Sequence, residues 1–371
     1  MQRRSFLKKA GLGAMAGSAV AAAPALAQST PSVSWKMAST YNPSVPALFG
    51  SAQTFCKMVE EASGGNFSIR LYPGGELAPA YGVLDAVSAN TVQCGQTASY
   101  YYYDKNPALC FDTAVPFGLN ERQMNAWMDQ GGGLALLREL FAPLHIVNFP
   151  MGNTGTQMGG WFRKEINSIQ DLKGLTMRTA GFVGEIMSRL GVVPRQIPPG
   201  DIYPALKKGA LDAVEFVGPL DDEKQGFQKV AKYYYYPGWW EGSGQVSLYV
   251  NDGEYNSLPA NYQALLALAA RYAGVQVTAD YDAHNPSALR RLMAAGAVLK
   301  AFPRDVMDAS FAASNETYKE FCDKDPQFKK LHDHYMAFRD DVVPWFRVAE
   351  GSYDNYLGIA LANLKRKAGK G

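Results

Sequence analysis

The chain has 371 residues, enough for two domains each with its own core. Its side chains are 47% apolar and 19% charged, with 36 glycines and 21 prolines spread along the length, a composition that excludes disorder, collagen and coiled coil. The formal charge of +2 depends on Arg3, Arg4, Lys8 and Lys9; without these four cations it becomes −2, so no basic stripe remains to bind nucleic acid by counterion release.

Residues 1–27 read as an export signal: four basic residues, an apolar stretch of Ala, Gly, Leu, Met and Val, then the small residues of Ala25-Leu-Ala27 before a cleavage point. Arg3-Arg4-Ser-Phe-Leu-Lys8 fits a twin-arginine signal, with Gln2 where such signals usually carry Ser or Thr. The mature chain is expected to be exported. No later stretch offers about 18 uncharged apolar residues, so no membrane span is expected.

Val33 to Ser39 alternates as a strand, and a helical pattern from Leu48 to Ala62 closes at Gly64-Gly65. Strands at Phe67–Leu71 and Val92–Ala98 bracket a short helix over Val83–Val87, so the opening is β-α-β-α-β and predicts a parallel sheet. The pattern restarts after Pro150. Ser168 to Asp171 is a capped turn, Leu175–Arg178 a strand, Glu185–Leu190 a helix ended by Gly191, Ile202–Lys208 a helix ended by Gly209, and Ala213–Val217 a strand. Arg178 and Glu215 thus lie at or near the ends of successive strands, where open α/β sheets collect ligands. From Ala260 to Leu299 the helical pattern is nearly continuous. Trp345 to Lys365 carries Tyr353, Tyr356, Leu357, Ala360, Leu361 and Leu364 as an apolar stripe that must pack on something.

Cys56, Cys94, Cys110 and Cys322 are 38, 16 and 212 residues apart, a spacing of no zinc or redox motif, and buried free thiols are expected. His332 and His334, two apart on a predicted helix, face different ways, and neither has a third ligand near it in sequence. Three segments combine polar side chains with chain breakers: Gly152 to Gly160 with Asn153 and Gln157, Val214 to Pro219 with Glu215 and Phe216, and Tyr236 to Gly242 with Glu241. The amide oxygen of Gln157 and the two carboxylates suit a hard cation if they converge; if they do not, they are solvated surface groups. Arg178 presents a planar fork suited to a carboxylate, either a ligand's or a structural acid's. The runs Tyr100–Tyr103 and Tyr233–Tyr236, with Trp239 and Trp240, could line a pocket, stack on a sugar or fill a sheet core. No nucleophile elbow, zinc-protease, Walker or dinucleotide motif is present; a glycosidase using Glu215 and Glu241 stays open on the carboxylates alone.

The runs Asp171-Leu-Lys-Gly174-Leu-Thr-Met-Arg178, Ala205-Leu-Lys-Lys-Gly209-Ala-Leu-Asp-Ala213 and Tyr234-Tyr-Tyr-Pro-Gly-Trp-Trp-Glu241 resemble the solute-binding proteins of TRAP transporters, over essentially the whole mature chain. Within that family they look like the branch that binds 2-oxo acids such as pyruvate, or 2-hydroxy acids such as lactate, through a metal ion. The resemblance implies an α/β fold of two hinged domains around a cleft, joined by a long helix: residues 28–150 with about 242–282, and 151–241 with about 283–344. Residues 345–371 would form a terminal helix exchanged in a homodimer. It implies that Arg178 takes the substrate carboxylate. Gln157, Glu215, Glu241 and the carbonyl of Phe216, where relatives often carry Trp, would hold sodium or calcium. Tyr100, Tyr101 and Asn153 would sit beside the substrate. The implied function is a periplasmic receptor, not an enzyme, that delivers a small organic acid to the small and large permease subunits. A sugar receptor is the alternative that the aromatics favour and Arg178 opposes.

Overall fold

The structure is a computed structural model that describes residues 31–179 and 181–368. The expected export signal at residues 1–27 lies outside the described residues. In chain order the first unit runs β1 (Val33–Ser39), α1 (Pro46–Ala62), β2 (Phe67–Tyr72), α2 (Val83–Ser88), β3 (Cys94–Thr97), α3 (Glu121–Asp129), α4 (Gly133–Phe141) and β4 (Ile146–Asn153). The chain then crosses to β5 (Trp161–Phe162), β6 (Thr176–Arg178), α5 (Phe182–Arg189), β7 (Val193–Arg195), α6 (Ile202–Lys207), β8 (Ala213–Val214), α7 (Pro219–Gln225) and β9 (Tyr233–Tyr236). It returns for β10 (Gln245–Asn251), α8 (Asp252–Ser257) and α9 (Ala260–Ala294), then adds β11 (Val298–Ala301), α10 (Arg304–Lys324), α11 (Pro326–Phe346) and α12 (Ser352–Ala368).

Two sheets result, ordered β2-β1-β3-β10-β4 and β11-β9-β5-β8-β6-β7. β1, β2 and β3 are parallel, as the β-α-β-α-β opening predicts, and so are β6, β7 and β8. The sheets are nevertheless mixed. β10 runs antiparallel to β3 and β4, and β5 antiparallel to β8 and β9, because each follows a crossing from the other unit and enters its sheet from the opposite end.

Other elements differ from the sequence pattern for local reasons. The strand expected at Ala213–Val217 ends at Val214, and residues 215–218 leave the sheet as a loop fixed by the Met158 N–H, which donates to the Val217 carbonyl at 3.0 Å. The long helix stops at Ala294, where Gly296 at φ +98° allows a reversal, and Val298–Ala301 joins β9 as an edge strand instead of continuing the helix. At 1.5 Å per residue α9 is about 50 Å long, and it packs on α1 and β4 at one end and on α7 at the other. α11 lies on α3 and α4 of the first unit, and its Tyr335 hydroxyl accepts the Leu119 N–H at 2.8 Å.

The tyrosine runs part company. Tyr234 and Tyr235 of β9 are sheet core, Tyr234 stacking on Trp161 at 4.0 Å between ring centres. Ser99–Tyr102 forms a buried 3-10 turn just past the carboxyl end of β3, facing the junction of the two units. All four cysteines are free thiols; Cys56, Cys94 and Cys110 are buried and Cys322 half-buried.

Candidate ligand and cation site

Three strand ends and two crossing segments deliver the site. β3 leads into Tyr100 and Tyr101, β6 ends on Arg178, and β8 ends just before Glu215 and Phe216; Gln157 and Glu241 sit on the chain's two passages between units. Backbone bonds lock these pieces together: the Gln157 N–H donates to the Glu241 carbonyl at 3.0 Å, and the Glu215 N–H to the Arg178 carbonyl at 3.1 Å. Tyr100, Tyr101, Gln157 and Phe216 line a small cavity with Tyr41, Val217 and Gln245. Arg178, Glu215 and Glu241 are each 1% exposed.

Arg178 Nη1 donates to the Glu215 carbonyl at 2.7 Å and to both Glu215 carboxylate oxygens at 3.2 Å. Half of the guanidinium is therefore spent on a structural acid, and only Nη2, buried and without a hydrogen-bond partner among the described residues, is left for a ligand. The Phe216 ring lies under the guanidinium at 5.7 Å. Burial works against the Arg178 charge, but Glu215 and the hydroxyls of Tyr81, Tyr101 and Tyr100 more than offset it and raise its pKa above the ordinary value.

Glu241 is in the opposite position. Burial, then the Glu215 charge, push its pKa well above the usual carboxylate range, and Arg178, Tyr100 and Gln157 offset this only in part. Its Oε2 has no hydrogen-bond partner among the described residues, and neither has Gln157 Oε1. The Gln157 amide is oriented by its own NH2 group, which donates to Thr154 Oγ1 at 3.0 Å and so turns the oxygen away. Gly244 is needed to bring these groups together: a Cβ there would lie 2.6 Å from Gln157 Nε2 and 2.9 Å from Glu241 Oε2. Gln245, which lines the same cavity, leaves its Oε1 without a partner as well, so the orphaned atoms are three acceptor oxygens and one cationic donor, a set that fits a cation and an anionic ligand together.

Asn153 adjoins this cavity through Thr154, and its Nδ2 is buried without a hydrogen-bond partner among the described residues. Its Oδ1 accepts the Gly155 N–H at 3.0 Å, and it lines a separate hollow with Glu121 and Arg271. Trp239 stacks on Phe117 at 5.3 Å and Trp240 packs on Trp239 and Phe302, so both tryptophans are core rather than a stacking platform. Tyr41 and Tyr81 belong to the site and sequence reasoning missed them; each is a lone tyrosine in a connecting segment with no motif around it. His332 does acquire neighbours that its spacing hides: Cys322 of α10 and the adjacent Asp333 come within 4.8 Å, because the α10–α11 turn folds one helix back on the other. Asp333 is occupied there by Lys329. His334 accepts from the Trp127 indole N–H at 3.1 Å.

Residues 38–325 match the model of bacterial extracellular solute-binding proteins, family 7 (DctP). The chain is 47% identical over 326 residues to a monocarboxylate 2-oxoacid-binding periplasmic protein of Nostoc sp. (strain PCC 7120), covering 88% of this chain and 89% of the relative. A TRAP transporter solute-binding protein from Bordetella bronchiseptica RB50, a dimer with copurified calcium and picolinate in one site and the other apo, is 50% identical with a TM-score of 0.89, over 90% of this chain and all of that one. A Colwellia psychrerythraea TRAP solute-binding protein with calcium and pyruvate is 37% identical with a TM-score of 0.85, over 87% of this chain and 99% of that one. A relative from Pseudoalteromonas atlantica T6c, with sodium and pyruvate, has the same identity and TM-score over 87% and 98%.

Proposed function

The chain belongs to the family 7 bacterial extracellular solute-binding proteins, a family of receptors and not of enzymes, and from that membership we propose that it is a periplasmic TRAP receptor for a small 2-oxo monocarboxylate. It captures the acid together with a cation and presents it to the membrane permease. No helix among the described residues is long and apolar enough to cross a membrane.

The observation that carries this reading is the set of orphaned atoms buried in the cleft: Gln157 Oε1, Gln245 Oε1, Glu241 Oε2 and Arg178 Nη2. A bare site with Arg178, Glu215 and Glu241 charged would sum to −1, and a monocarboxylate would take it to −2; calcium returns the sum to zero and sodium to −1. Gln157, Glu215, Glu241 and the Phe216 carbonyl are the oxygens that would hold the cation. Bound there, the cation neutralises the paired glutamates and polarises the ligand's 2-oxygen. Arg178 Nη2 takes the ligand carboxylate, and Tyr100 and Tyr101 close the cavity over the remainder. The pyruvate-bearing relatives with sodium and calcium support pyruvate and its near homologues as the ligand class. A sugar has no anionic group for Arg178 Nη2.

The receptor acts as a homodimer through α12, whose apolar stripe is exposed along its length and whose relative from Bordetella bronchiseptica is a dimer. On α9, Leu268, Tyr272 and Val275 are exposed as well. Thermal-shift measurements with pyruvate, longer 2-oxo acids and lactate, each with sodium, calcium or chelator, test the ligand class. Pyruvate is expected to raise the melting temperature by several degrees with a cation and not in chelator. A panel in which no 2-oxo acid stabilises the protein with either cation overturns the reading.

A further inference from the structure

Gln245 opens β10 on the part of the cavity wall that the first unit supplies, with Ala98 and Thr113, whereas Phe216 and Val217 come from the second unit. The residue is 1% exposed. Its backbone N–H donates to the Thr113 carbonyl at 3.1 Å, and its Nε2 donates to the Asp112 carbonyl at 2.7 Å. A carbonyl can only accept, so this bond decides which end of the amide is NH2 and leaves Oε1 as the free end, buried and without a partner among the described residues. The anchor is itself held in place. The Asp112 carboxylate accepts from Ser247 Oγ at 2.7 Å, from Asn148 Nδ2 at 3.0 Å and from Ser99 Oγ, which fixes the carbonyl that orients the amide. A buried acceptor without a donor is costly, and Ala98, Val217 and Val246 of the same lining bring no donor. The donor has to come from what fills the cavity.

Arg178 Nη2 and the cation take the ligand's carboxylate and 2-oxygen, so the part of the ligand left for Gln245 is its third carbon and beyond. Resting on the receptor reading for those first two contacts, we infer that Gln245 is a specificity-determining residue: its Oε1 accepts a hydrogen bond from a hydroxyl on carbon 3, and the preferred ligand is a 3-hydroxy-2-oxo monocarboxylate rather than the alkyl acid of the same shape. An alkyl group in that place leaves the oxygen buried and unpaired. Sites built around a substrate hydroxyl reject the analogue that lacks it far more strongly than apolar pockets reject an added hydroxyl.

Hydroxypyruvate and 2-oxobutanoate differ only by OH against CH3 on carbon 3, so the ratio of their affinities, measured by calorimetry in calcium, reads this one contact. Wild type is expected to bind hydroxypyruvate at least tenfold more tightly. Gln245→Leu and Gln245→Met fill similar space without the amide oxygen, and in each the ratio should fall below about two. A general loss of packing would weaken both acids alike and leave the ratio where it was. Equal binding of the two acids by wild type, or a ratio that survives in either variant, overturns the assignment; where neither variant binds, the wild-type ratio decides. Wild type that binds none of hydroxypyruvate, 2-oxobutanoate and pyruvate in calcium fails the receptor reading instead.

Discussion

A carboxylate buried beside a second carboxylate needs a compensating charge, and in Glu241 that need is unmet, since Arg178 Nη1 is already committed to Glu215. The consequence is a test by sign. If Glu241 acted on the substrate only as a like charge, Glu241→Gln would tighten binding of an anionic ligand. If Glu241 holds a cation that bridges to the ligand, the same change weakens it. We expect calorimetry with pyruvate and calcium to show at least a tenfold loss of affinity in Glu241→Gln, about 1.4 kcal/mol or more, and a comparable loss for wild type in chelator. Tighter binding by the variant, with chelator-insensitive binding by wild type, would remove the cation from the account. The glutamates, Gln157 and Arg178 are legible in sequence because each sits among glycines, prolines or strand ends that betray a break in regular structure. Tyr41 and Tyr81 are not, because contacts across the cleft leave no periodicity behind.

Among the elements, α12 is the one the single chain does not explain. Its side chains Tyr353, Tyr356 and Leu364 are 66%, 74% and 62% exposed, although their spacing is that of a buried face. Full burial of each large apolar side chain contributes about 1.5–3 kcal/mol, so a second copy that covers the stripe supplies a strong drive to dimerise. A variant ending at Gly351 retains both sheets and the site, and it should be monomeric by light scattering at concentrations where the full chain is dimeric. A monomeric full chain, or a dimeric truncation, would assign the stripe another role. α9 shows the converse: its hydrophobic pattern predicts the helix, but the turn at Gly296 and the pairing of Val298 with Tyr233 end it short of the expected point.

For the molecule as a whole, buried acids set the pH response. Burial pushes Asp222 up to about 7, though it accepts from the Trp161 indole at 3.0 Å and the Tyr234 hydroxyl at 2.6 Å, and pushes Asp221 up to about 6. At low pH both carboxyls are protonated in folded and unfolded chains alike. Between about pH 4 and 7 the folded protein keeps protons that the unfolded chain releases, so stability falls as pH rises through that window and levels off above it. Melting curves of cation-free protein from pH 4.5 to 7.5 should show this decline. Asp222→Asn, which still accepts a hydrogen bond, should flatten it by a few kcal/mol, since each tenfold gain in a carboxylate's proton affinity on folding is worth about 1.4 kcal/mol. An undiminished slope in the variant would place the proton elsewhere.

Local rules in the sequence were enough for the parallel opening of the first unit, for α1 closing at Gly64 and Gly65, and for Arg178 and Glu215 at strand ends. Period, capping and turn chemistry act within a few residues and are written where they operate. Family resemblance in three short runs extended this to the ligand class. What the tertiary structure decided is relational: the antiparallel entry of β5 and β10, and the pairing of Arg178 Nη1 with Glu215. Each depends on which segments meet after the chain has crossed between units, and burial then fixes which charges must find partners.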